Sequence, residues 1–134
     1  MNCLAFDVGG TTVKYGVIDR SYKVLKKDKI PTPENEEKFI DSISEIIKEN
    51  ISNISKVSIA MPGFVNFEKK QYSYGPNLQY DINFSKLVNF TDYEFYLDND
   101  GNVAAYCDYF LSYKNKFSNL IMLTFGTGVG GGII

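Results

Sequence analysis

The alternation of apolar and polar positions predicts strands first. "CLAFDV" (3–8) and "VKYGVID" (13–19) read as strands, with "GGTT" (9–12) turning between them. "YKVLKKDKI" (22–30) reads as a third, so the chain opens as an antiparallel meander. Helical spacing then takes over. Phe39, Ile43, Ile46, Ile47 and Ile51 recur every three or four residues and form one apolar stripe. Thr32 is predicted to cap this helix, with Pro33 at its first position and Glu34, Glu36 and Glu37 near its positive end.

"KVSIA" (56–60) predicts a short buried strand, and "MPGFVN" (61–66) a turn at Pro62–Gly63. Residues 68–80 read as a long polar, aromatic loop with room for a short hairpin. "NFSKLVNF" (83–90) suits a short helix and "YEFYLD" (93–98) a strand. "GNVAAYCDYFLSY" (101–113) predicts a second helix, with Val103, Cys107, Phe110 and Leu111 on its apolar side. A polar connector leads to the strand "LIMLTF" (120–125). Strands alternating with helices predict an α/β fold, a mixed sheet covered by helices.

Composition narrows the function. The 134 residues suit one domain with a real core. Net charge is −2, and no Lys/Arg concentration forms a nucleic-acid surface, so no nucleic-acid partner is expected. The densest basic run, "KVLKKDK" (23–29), reads as a solvated strand face. Cys3 and Cys107 lack metal spacing, and no apolar run approaches the ~20 residues of a membrane span. The start lacks a signal-peptide pattern, so a cytoplasmic protein without a membrane partner is expected. With no histidine, a Ser-His-Asp or Cys-His triad and a histidine zinc site are excluded within this chain.

Two passages share one layout: "LAFDVGGTTVKYGVID" (4–19) and "IMLTFGTGVGGGII" (121–134). Each runs strand, glycine–threonine turn, β-branched strand. Five of the 11 glycines lie between Gly126 and Gly132. Glycine lets backbone N–H groups approach a ligand, and successive N–H groups cradle anions. Two such hairpins can grip a polyphosphate; a plain hairpin turn is the alternative for each. Neither is a P-loop or a dinucleotide fingerprint, since no Gly-Lys-Ser/Thr follows and a strand follows the glycines.

Asp7 beside Gly9–Gly10 conflicts with phosphate unless a cation intervenes. Magnesium held through water resolves that; a turn-capping Asp is the alternative. Thr11 and Thr12 offer hydroxyls and Lys14 a positive charge. In "YLDNDGN", Asp100 can cap the following helix, accept a proton from an attacking hydroxyl, or both.

The motifs "FDVGGTTVKYGVID", "MPGFVN", "GPNL", "LDNDGNVAA" and "LTFGTGVGGGII" resemble, in order and spacing, those of the ROK family. That family comprises repressors, open reading frames and sugar kinases within the actin-like ATPase superfamily. The resemblance implies a ribonuclease H-like, actin-type ATPase domain. Residues 1–118 would form the amino-terminal lobe and 119–134 the first hairpin of a second lobe. It implies ATP and Mg2+ as cofactors. Asp7, Gly9, Gly10, Thr11, Thr12 and Lys14 would form the first phosphate motif, with Asp7 towards the metal. Gly126, Thr127, Gly128, Gly130, Gly131 and Gly132 would form the second. Gly63, Asn77 and Asn99 would line the sugar, and Asp100 would be the base.

The reaction so implied is γ-phosphate transfer to a hydroxyl of a hexose or N-acetylhexosamine. A sugar-sensing repressor domain, or another actin-like ATPase or kinase, remains the alternative. The resemblance leaves room for a homodimer of the full-length protein. The family's Glu-x-Gly-His motif and cysteine-rich zinc site are absent from these residues, and because one lobe cannot close the cleft that excludes water from the transferring phosphate, the isolated chain is expected to be inactive. Gly101 stands where many members have alanine, a variation expected to change little.

Overall fold

A computed structural model describes residues 2–75, 77–125 and 129–134. Strands β1 (Asn2–Val8), β2 (Thr12–Ile18) and β3 (Val24–Pro31) form the meander. Helix α1 (Glu36–Asn50) and a 3-10 turn (Ile51–Asn53) lead to β4 (Ile54–Met61). Three two-residue strands follow: β5 (Val65–Asn66), β6 (Gln71–Tyr72) and β7 (Ile82–Asn83). A 3-10 turn (Phe84–Lys86) precedes β8 (Glu94–Asn99), and α2 (Asp100–Asp108) continues as a π-helical turn (Tyr109–Tyr113). The hairpin β9 (Ile121–Phe125) and β10 (Val129–Ile133) completes the order.

The main sheet has the order β3-β2-β1-β4-β8. β1–β2 and β2–β3 are antiparallel, whereas β1–β4 and β4–β8 are parallel. The period-two alternation sorts its faces. Leu4, Phe6, Val8, Val13, Val17, Val57, Ile59, Met61 and Leu97 join Phe39, Ile40, Ile43, Ile46 and Ile47 of α1 in one buried cluster. The predicted stripe is therefore the face that makes the core. Phe84 extends the cluster, meeting Phe39 at 6.2 Å and Phe95 at 5.7 Å between ring centroids.

On the opposite face, register aligns Lys29, Lys14, Asp7, Ala60 and Asp98 across all five strands. The row lies near the carboxyl ends of the parallel strands, where open α/β sheets bind ligands. The edge strand β3 exposes Lys26, Lys27 and Lys29, charges that guard a sheet edge against further pairing.

Three local expectations are corrected. Asn35, not Thr32, caps α1, accepting the Lys38 N–H at 2.9 Å, and the helix begins at Glu36 rather than Pro33. Asn99, not Asp100, caps α2, accepting from Gly101 N at 2.9 Å and Asn102 N at 3.3 Å. The buried side of α2 is Gly101 and Ala105, while Val103 and Cys107 are exposed. The reason is β10, whose glycines lie against α2: a Cβ on Gly132 would stand 2.6 Å from Ala105 Cβ.

Candidate functional site

The first glycine turn is held from outside itself. Gly9 N–H donates to the Thr12 carbonyl at 3.0 Å, closing the turn. Thr32, just beyond β3, donates its hydroxyl to the Gly9 carbonyl at 2.7 Å and its N–H to the Thr11 carbonyl at 3.0 Å. Asp7 and Lys14 are registered partners on β1 and β2, with Lys14 Nζ 3.9 Å from Asp7 Oδ2. Both are solvent-exposed, so this pair screens charge more than it stabilises the fold.

Gly10 packs on the next loop: a Cβ there would lie 3.3 Å from the Asn77 carbonyl and 3.5 Å from Asn77 Cβ. Asn77 is exposed. Its loop is held by Tyr72, whose hydroxyl donates to the Leu78 carbonyl at 3.4 Å. Tyr72 is buried, and burial foremost pushes its phenol above the ordinary value of 10.0. It therefore stays protonated at neutral pH and keeps its donor. Tyr72 also reaches the Gly63 loop, its ring edge 3.8 Å from where a Gly63 Cβ would be. Gly63 has φ +108°, a conformation that side-chain-bearing residues rarely adopt.

Asn99 donates from Nδ2 to the Gly63 carbonyl at 3.0 Å while its Oδ1 caps α2. Asp100 begins that helix with its carboxylate exposed, Oδ1 accepting from Gly101 N at 2.8 Å. A Cβ on Gly101 would stand 3.2 Å from the Gly131 carbonyl and 3.1 Å from Asn99 Oδ1. Alanine is therefore tight at this position, contrary to the neutral expectation from sequence.

Close approaches at Gly10, Gly63 and Gly101 and the hydrogen bonds of Tyr72 to Leu78 and of Asn99 to Gly63 and Gly101 link the first glycine turn stepwise, by way of the Asn77–Leu78 loop, to β10. Of the candidate residues, the structure puts Gly10 beside Asn77, Gly63 beside Asn99, and Asn99 and Asp100 at the start of the helix that Gly131 and Gly132 approach. Asp7 and Lys14 flank the turn from the open face, and Thr12 opens β2. Gly130 pairs with Thr124 across the second hairpin. Gly126, Thr127 and Gly128 lie outside the described residues.

Three contributors escaped sequence reasoning: Thr32, Tyr72 and Asp98. Thr32 carries a visible signal, a threonine between two prolines after a strand, but that signal suits a helix cap equally well. Tyr72 had no periodic signal, because β6 is only two residues long. Asp98 shares the open face with Asp7, two strands and roughly 10 Å away. It accepts from Asn99 N at 2.7 Å and Asn102 Nδ2 at 3.1 Å.

Among the described residues, no group of three or more His, Cys, Asp or Glu side chains could hold a metal. One exposed carboxylate fits magnesium, which binds through one or two carboxylates and takes its other ligands from water and phosphate. It does not fit a closed protein cage. Among the described residues, no helix is long and apolar enough to cross a membrane.

A mixed sheet of this order, with a glycine turn after β1 and a second glycine hairpin against α2, defines an actin-fold ATPase domain. The chain belongs to the ROK family, whose profile matches residues 3–134. It is 30% identical over 135 residues to a glucokinase of Streptomyces coelicolor, covering 98% of this chain and 43% of that protein. It is 30% identical over 139 residues to an N-acetylmannosamine kinase of Vibrio cholerae, covering 100% of this chain and 48% of that one. A solved ROK family glucokinase from Streptomyces griseus, in complex with glucose and AMPPNP, superposes with a TM-score of 0.82 at 27% identity, covering 100% of this chain and 44% of the other. The chain thus spans less than half the length of these relatives.

Proposed function

We propose that this chain is the amino-terminal lobe of an ATP-dependent sugar kinase, with 119–134 as the first hairpin of a second lobe. The observation that carries the reading is the stepwise linkage of the first glycine turn, by way of the Asn77–Leu78 loop, Tyr72 and Gly63, to Asn99 and the helix that β10 approaches. That linkage supports reading the first phosphate motif, the sugar motif and the described residues of the second hairpin as parts of one site. The family relatives named above are glucose and amino-sugar kinases, which supports a hexose or N-acetylhexosamine as acceptor.

In this reading Asn77 and Asn99 hydrogen-bond sugar hydroxyls, and Gly63 lets the backbone approach the ring. Asp100 accepts the proton of the attacking hydroxyl. Its carboxylate is exposed and begins a helix whose backbone Asn99 holds in place. Phosphoryl transfer needs mainly positioning and charge stabilisation, and one carboxylate orienting the nucleophile suffices. Gly9, Gly10, Thr11 and Thr12 bind phosphate oxygens from one side. Gly126, Thr127, Gly128, Gly130, Gly131 and Gly132 form the second phosphate motif. Lys14 adds positive charge, and Asp7 holds magnesium through water. The metal, when bound, neutralises charge on the phosphate oxygens.

The second-lobe assignment has its own support. One face of the hairpin presents Ile121, Leu123, Phe125, Val129 and Ile133, all more than half exposed. Its other face lies on α2. A contiguous apolar face of this kind is an interaction surface, and further sheet or helix of the same protein would cover it. This chain alone would then hold one wall of the cleft and turn over poorly, because water is not excluded from the transferring phosphate.

The test is ADP release by the full-length protein across a panel of hexoses and N-acetylhexosamines. At least one sugar should stimulate release, and D100N should lower the rate by ~10² or more. Nucleotide hydrolysis that no sugar stimulates would instead favour a different actin-like ATPase.

A further inference from the structure

Thr32 is the feature of this site that the proposed function leaves without a role. It lies between Pro31, the last residue of β3, and Pro33. Proline fixes its own φ and drives the residue before it towards extended backbone. The Pro-Thr-Pro segment is therefore stiff, and it presents one hydroxyl and one N–H to the glycine turn. Both reach carbonyls more than twenty residues away: Gly9 O at 2.7 Å and Thr11 O at 3.0 Å. The helix cap that this threonine could have provided is supplied instead by Asn35.

Each carbonyl so tied is turned towards Thr32. Among the described residues, no protein acceptor takes the N–H of Gly10 or of Thr11. Among the described residues, the turn thus holds two N–H donors without a protein acceptor beside two anchored carbonyls. Successive free N–H groups attract an anion, whereas a loose carbonyl swinging into the same space would repel it.

We propose that Thr32 is a positioning residue for the phosphate turn: it latches the Gly9 and Thr11 carbonyls to the end of β3 and so keeps the Gly10 and Thr11 N–H groups ready for a phosphate. The proposal rests on the reading of this turn as a nucleotide-phosphate site. Thr32 touches no phosphate itself and acts through the backbone. Valine at this position keeps the shape and the N–H bond but leaves the Gly9 carbonyl without its partner. Serine keeps both bonds.

The test compares T32V and T32S with the wild type in the full-length protein. Without ligand, amide exchange at Gly9 should be about tenfold faster in T32V, with exchange at Phe6 and Ile59 unchanged. With ligand, the dissociation constant for Mg·ATP should rise about tenfold in T32V while sugar binding stays within about twofold, the loss of one hydrogen bond with its carbonyl left unpaired. T32S should restore both. Unchanged Gly9 exchange, or Mg·ATP binding equal to wild type, overturns the latch. So does an equal loss of nucleotide and sugar binding, which marks a general structural role. A wild-type protein that binds no nucleotide overturns the kinase reading instead, and is distinguished by needing no variant to see it.

Discussion

Asn99 donates from its side-chain amide to the backbone carbonyl of Gly63 at 3.0 Å, across 36 residues of sequence. The same side chain caps α2 through its oxygen. One residue therefore joins the loop after β4 to the helix that begins with Asp100.

Its two halves can be separated by substitution. N99D keeps an oxygen for the cap, and a negative charge at a helix N-terminus is favourable. It also sets an acceptor against the Gly63 carbonyl. The melting temperature of N99D should stay close to wild type, while exchange at the Ser73 amide, which donates to the Phe64 carbonyl at 3.2 Å, should quicken. N99A loses cap and tether together and should be less stable by about 1 kcal/mol in chemical denaturation.

The close approach of β10 to α2 predicts a steric cost. A Cβ on Gly132 would meet Ala105 Cβ at 2.6 Å and the Gly101 carbonyl at 3.1 Å, and neither is the end of a flexible side chain. G132A should destabilise by about 1–3 kcal/mol or lift the hairpin from the helix. Either outcome should appear as faster proteolysis around residues 114–120. A Cβ on Gly130 meets only the Thr124 hydroxyl, at 2.8 Å. G130A should be the milder change, since a threonine rotamer can move.

Phe84 joins the small strands to the main core through Phe39 and Phe95. It is fully buried, so F84A leaves a cavity and should cost about 3–5 kcal/mol. F84L should cost much less. Equilibrium unfolding in urea measures both, and near-equal values would show that the site relaxes around the loss.

Alkaline pH should weaken the fold through Tyr80 and Tyr93. Burial, foremost, pushes both phenols from 10.0 up to about 12. Their neutral forms are favoured in the folded state, where Tyr80 donates to the Pro33 carbonyl and Tyr93 to the Val88 carbonyl. The unfolded chain loses these protons first, near pH 10. The contribution is thus fully present below about pH 10 and falls as pH rises towards 12. Denaturant midpoints should drop across that window. Y93F should start lower at neutral pH, having lost one hydrogen bond, yet decline less steeply.

The chain itself determined the parts whose information is local. The meander, the stripe of α1 and the paired glycine hairpins follow from periodicity and turn chemistry within a few residues. The candidate residues from Asp7 to Gly132 follow from motif and resemblance. Tertiary structure decided which of several possible partners each polar side chain took. Thr32 could have capped a helix, but the Gly9 carbonyl reaches it once β3 pairs with β2. Asp100 could have capped α2, but Asn99 does so while holding Gly63. The apolar side of α2 faces solvent because β10 brings glycine rather than bulk to Gly101 and Ala105. Periodicity records only neighbours within a turn or a strand. These contacts join residues 23 and 36 positions apart, or a helix to a later hairpin, and they exist only once the sheet has closed.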